Sequence, residues 1–146
     1  MSEAGGYSRD ALRKAYVDAW AKARAGTPLT PLEALLADVV ALHPEYHATI
    51  ADPDDAFGHE TSAAGDAQNP FLHLGLHVAV REQLAIDRPP GVAAIHRRAI
   101  AKFGDAHAAD HLLADALGRT LWEAQRAGTA PDERRYLALA RAALER

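Results

Sequence analysis

At 146 residues, with a net charge of −4 and no cysteine, the chain is long enough to bury a core of its own and offers neither disulfides nor thiolate ligands. Its 16 basic residues are scattered rather than gathered into a stripe interleaved with aromatics, so no nucleic-acid partner is expected. No apolar run approaches the roughly 18 residues of a membrane span, and Met1 to Gly6 lack the charged start and apolar core of a secretion signal; the expectation is a cytoplasmic protein with no membrane partner. Alanine and leucine are prominent and β-branched runs few, which favours helices over strands.

Over residues 9–25, Leu12, Tyr16, Ala19, Trp20 and Ala23 recur at helical spacing with charges between them, and Gly26 supplies a stop. This predicts an amphipathic first helix that covers the core and carries no coordinating side chain. Thr30-Pro31-Leu32-Glu33 is a strong start signal, with a threonine cap, a proline at the first helical position and a glutamate at the third. Leu32, Leu36, Val39 and His43 then share one face, so His43 continues an apolar stripe and points inward. Pro44 cannot donate a backbone hydrogen bond and crowds the preceding turn, so the helix kinks or restarts there.

Residues 52–69 show no period and are rich in turn formers, which predicts a long irregular loop, disordered or functional as a lid. Asp52, Asp54 and Asp55 within it lack the sixth-position glycine and terminal glutamate of a calcium loop. Asn69-Pro70 caps a helix over 70–87, where Leu72, Leu76, Val80 and Leu84 run beside His73 and His77. Leu74 and Val78 make its early turns apolar nearly all round, the mark of a buried central helix. After a turn at 88–91, a shorter helix over 92–103 is expected to turn Val92, Ile95, Ala99, Ile100 and Phe103 inward. Gly104 ends it, and Asp105 caps a helix over about 106–127 whose apolar stripe is Leu113, Leu117 and Leu121. His107, His111 and Asp115 flank that stripe, with Trp122 nearby. Gly128 stops the helix, and Pro131-Asp132-Glu133 opens a last one that buries Tyr136 or Leu137, Ala140 and Leu144.

The chemistry lies in the histidines. Eight placed at random would give about 0.4 pairs at spacing four, yet three occur, His43/His47, His73/His77 and His107/His111. Residues four apart on a helix stand about 6 Å apart on one face, so each pair can share an ion or serve two neighbouring ions. Asp115 continues the last pair by one turn and is the candidate carboxylate. The remaining candidates have plainer readings. His96 is a lone core histidine, His59-Glu60 lacks the second histidine of the zinc-protease pattern, and Glu33 is explained by its cap. Asp110 and Glu45 are hydrogen-bond partners of the ligand row or surface charges. No phosphate loop, nucleophile elbow or dinucleotide fingerprint is present.

The stretches His43-Pro44-Glu45-Tyr46-His47, Asn69-Pro70-Phe71-Leu72-His73 through His77, Glu82-Gln83, His107 with His111, Leu121-Trp122-Glu123-Ala124-Gln125-Arg126, and Pro131-Asp132 followed by Tyr136-Leu137 resemble a small bacterial family, domain of unknown function 1841. The resemblance spans nearly the whole chain and supports this set of residues without implying a reaction. Where that family has a glutamate, this chain has the shorter Asp115. A looser likeness of architecture alone is to hemerythrin-like and DinB-like bundles, which hold metals with histidines from several helices.

The sequence therefore predicts an all-α fold over residues 1–146, a single antiparallel helical bundle with four long helices and one or two shorter ones. Its expected cofactor is one or two transition-metal ions held by His43, His47, His73, His77, His107, His111 and Asp115. Nitrogen-rich ligation favours iron or zinc, then copper, nickel or manganese, over magnesium or calcium. Oxygen, peroxide or hydrolytic chemistry would follow from an open coordination position. The competing expectation is a metal-free interaction or structural protein whose histidines are hydrogen-bonded in the core. Neither reading specifies a protein partner or an oligomeric state.

Overall fold

The punctuation of the chain by proline, glycine and capping residues becomes seven α-helices in the computed structural model, which describes residues 9–51 and 70–146. They are α1 (Arg9–Ala25), α2 (Pro31–Ala41), α3 (His47–Ala51), α4 (Pro70–Ile86), α5 (Val92–Phe103), α6 (Ala106–Ala127) and α7 (Glu133–Glu145). A 3₁₀ turn, Pro44–Tyr46, joins α2 to α3. The fold is all-α, with no strand among the described residues. None of the described helices is long and apolar enough to cross a membrane. The irregular segment expected at 52–69, with Asp52, Asp54, Asp55, His59, Glu60 and the Asn69 cap, lies outside the described residues, as does the stretch Met1 to Gly6. The chain divides into two compact units between Leu74 and Gly75.

In the first unit, α1 packs on α2 and on α3. The Thr30 hydroxyl accepts from the Glu33 amide at 3.1 Å while the Glu33 carboxylate accepts from the Thr30 amide at 2.9 Å. This capping box satisfies two amides that the helix leaves without partners. Lys22 donates to the other Glu33 oxygen at 2.7 Å, tying the end of α1 to the start of α2. The core of the unit is made by Tyr16, Ala19, Leu36, Ala37, Val39, Val40, Ile50, Phe71 and Leu74. Two stripe residues of α1 and α2 depart from expectation. Leu12 is 50% exposed and Leu32 57%, both in the opening turns of their helices. Arg13 takes the buried place beside Leu12, its guanidinium 5.3 Å from the Phe71 ring, so the aliphatic stem packs as an apolar group.

In the second unit, α5, α6 and α7 pack mutually, and Val80 of α4 joins their core with Leu76 and Leu84 against it. The cluster holds Val92, Ile95 and Ala99 of α5, Leu112, Leu113 and Leu117 of α6, and Tyr136, Ala140 and Leu144 of α7. Tyr136 is the buried member of the expected Tyr136/Leu137 choice, and its hydroxyl donates to the Gln83 side chain at 2.6 Å. At Gly118 an added Cβ would stand 3.3 Å from the Leu76 Cδ1, so α4 and α6 approach closely there. Gly104 and Gly128 close α5 and α6 at φ +70°, a conformation glycine reaches at little cost. Asp132 caps α7 through the Arg134 and Arg135 amides, which puts Pro131 just before the helix. Phe103, Leu121 and Leu72 of α4 are exposed rather than inward. The buried row of α4 is Phe71, Leu74, His77 and Val80; of the expected stripe it keeps Val80, with Leu76 and Leu84 packed against the core and Leu72 alone turned outward, because a helix apolar on all sides does not announce its own rotation.

Candidate metal centre

His43 ends α2. Its Nδ1–H donates to the Val39 carbonyl at 2.7 Å, which in the neutral ring leaves the lone pair on Nε2. The ring is fully buried and meets His73 of α4 edge-on, with centroids 4.9 Å apart; the two present donor nitrogens within 4.8 Å of each other. Pro44 breaks the helix as expected, and the 3₁₀ turn that follows repeats every three residues. That period stacks Tyr46 against His43 at 5.7 Å, and Tyr46 also flanks His73 at 6.0 Å. Burial, and then the neighbouring Glu45 carboxylate, raise the Tyr46 phenol above its ordinary pKa. His47 begins α3 and faces elsewhere, donating from Nε2 to the Val40 carbonyl at 2.9 Å and lying 4.6 Å from the Trp20 ring.

The second unit assembles three imidazoles from two helices. His77 of α4 is buried, while His107 and His111 of α6 are half-buried. The centroid separations are 4.4 Å for His107–His111, 4.6 Å for His77–His111 and 5.6 Å for His77–His107. His77 and His111 present donor nitrogens within 4.8 Å of each other. The Asp105 cap, accepting from the His107 amide at 3.1 Å and the Ala108 amide at 3.3 Å, fixes the start of α6 and so the register of this row. His107 and His111 also line an open depression of about 510 Å³ with Asp105, Asp115, Phe103 and Leu112. Asp115 stands one turn beyond His111. The apolar wall of the depression desolvates its carboxyl and raises its pKa, against the opposing pull of the His111 ring.

Asp110 is neither a surface charge nor idle. It is 3% exposed, its Oδ1 accepts from His96 Nε2–H at 2.7 Å, and its Oδ2 lies 3.4 Å from Arg81 Nε. His96 is thus a satisfied core histidine, as expected of it. The sequence carries a signal for the buried carboxylate that was open to reading. Asp110, Leu113 and Leu117 fall at spacings of three and four on α6, so the acid interrupts an apolar stripe.

Of the expected donors, then, His77, His107 and His111 meet in the second unit beside Asp115, and His43 meets His73 in the first. Tyr46 is an unforeseen neighbour of that pair. An all-α protein with imidazole groups on its helices is the class that fold and site define. The chain belongs to the family described as domain of unknown function 1841, whose model matches residues 8–142. No curated protein and no solved structure matches it.

Proposed function

We propose that the chain is a transition-metal-binding helical protein that uses imidazole donors and holds one or two ions. His77, His107 and His111 form the donor group of the second unit, with Asp115 as the adjacent carboxylate, and His43 and His73 form the donor pair of the first. The observation that carries this reading is the meeting of three imidazoles from α4 and α6, two of which, His107 and His111, line an open depression. Helical backbones set the separations before any ion arrives, which lowers the ordering cost of binding. Neutral imidazoles suit zinc, iron, copper or nickel over calcium or magnesium. An ion there would supply Lewis-acid or redox chemistry, in hydrolysis or with oxygen or peroxide. Around it, His107 and His111 would face solvent through the depression, with Asp115 one turn beyond His111 on the same wall.

A second reading has an observation of its own. His43 and His47 each bond a backbone carbonyl and His96 bonds Asp110, as expected of histidines that serve packing in a metal-free interaction protein. Elemental analysis of untagged protein purified without added metal or chelator separates the two. The metal reading expects one or two atoms of one element per chain, falling in His77→Ala and His111→Ala. A ratio near zero after incubation with iron, zinc, copper, nickel and manganese would sink it and leave the interaction protein.

A further inference from the structure

We propose that Asp110, gripped by Arg81 and His96, is the positioning residue of the imidazole group in the second unit; this rests on the metal-binding reading above. Asp110 precedes His111 directly and follows His107 by three residues on α6. Arg81 follows His77 by four on α4, and His96 comes from α5. The two oxygens of one buried carboxylate thus join three helices, Oδ1 to His96 at 2.7 Å and Oδ2 to Arg81 at 3.4 Å. An ionised carboxylate only accepts, so His96 Nε2 carries the proton. With both oxygens engaged, Asp110 is not itself a ligand, and it acts by holding the backbone from which His107 and His111 project.

Stability alone is a poor account of such a group, because apolar residues of similar volume commonly replace a buried ion pair at no cost. Apolar contacts, however, tolerate rotation of one helix against another, whereas a carboxylate held by a guanidinium and an imidazole does not. The pin lies within one helical turn of His77 along α4 and within one turn of both histidines along α6. It therefore fixes the rotation at which the three rings face one another, as hydrogen bonds behind metal-binding histidines do elsewhere.

The test is titration of the full-length protein with Co²⁺, followed by its visible absorption, in the wild type, Asp110→Asn, Arg81→Met and Leu144→Ala. The last removes core volume from α7, which carries none of the three rings, and controls for general destabilisation. Asp110→Asn and Arg81→Met are expected to keep the wild-type stoichiometry, weaken Co²⁺ binding by roughly 10- to 100-fold and shift the ligand-field bands. Leu144→Ala should lower the melting temperature and leave affinity and bands in place. Wild-type affinity and spectrum in both pin variants would overturn the inference, as would an equal loss in Leu144→Ala. Should Asp110→Asn fail to fold, Arg81→Met decides, since its side chain is 34% exposed. A wild type that binds no Co²⁺ removes the metal reading and this inference with it, an outcome distinct from unaltered binding in the variants.

Discussion

Glu123 shows how much a single side chain can be shifted without being buried. Arg135 grips it with two hydrogen bonds of 2.9 Å and Arg119 adds one of 3.1 Å. Those bonds, Arg135's first, lower its pKa from 4.5 to about 2. A carboxylate depressed in the folded state contributes its stability in full above its ordinary value and loses it as pH falls through the folded one. The melting-temperature gap between wild type and Glu123→Gln should therefore hold near pH 6, narrow below 4.5 and close near 2. Because the group is exposed to solvent, half-molar salt should shrink the gap as well. A gap indifferent to both pH and salt would mean that packing, not charge, accounts for it. Asp115 has the opposite sign: desolvation raises it, so its contribution to stability falls as pH rises through the carboxylate range.

At the scale of the element, local chemistry dominates. Thr30→Ala removes the hydroxyl half of the capping box at α2 and leaves the Glu33 carboxylate on the backbone amide of residue 30, and a loss of about 1 kcal/mol is expected in urea denaturation. A loss of less than a few tenths would show that the Lys22–Glu33 bridge holds the turn unaided. The limits of α1, α2, α5 and α6 were legible from sequence because Gly26, Thr30, Gly104, Asp105 and Gly128 each determine a terminus through their own geometry. The rotation of α4 was not, since its leucines and valines occupy every face and only neighbours decide which row is buried. The same limit applied to the donors. Spacing identified His107 and His111 as a row, but the turning of His47 toward Trp20 and the Val40 carbonyl depends on the restart after Pro44. Tyr46 was overlooked for a related reason, as its alignment with His43 arises from a three-residue period that a search at spacing four passes by.

For the molecule as a whole, the decisive contrast is between stabilisation by a bound ion and stabilisation by packing. A ligand that binds only the folded chain adds RT ln(1 + [L]/Kd), about 2.7 kcal/mol at a hundredfold excess over Kd. Treatment of the metal-loaded protein with chelator should lower the melting temperature by several degrees, and readdition of the ion should restore it. Unchanged melting on chelation of a chain shown to contain metal would place the ion at a peripheral site, away from the buried His77. Membership of the family fixes neither outcome, as its description carries no activity.

The close approach at Gly118 bears on all three scales. A Cβ there would press to 3.3 Å on Leu76, the residue next to His77, while Gly118 itself lies two turns along α6 from His111. The smallest side chain in the genetic code thus acts as a shim. A single methyl group at position 118 must push the Leu76 side chain aside or lever α4 away from α6, so the spacing of the two helices that carry His77 and His111 is set by a residue with no side chain beyond a hydrogen.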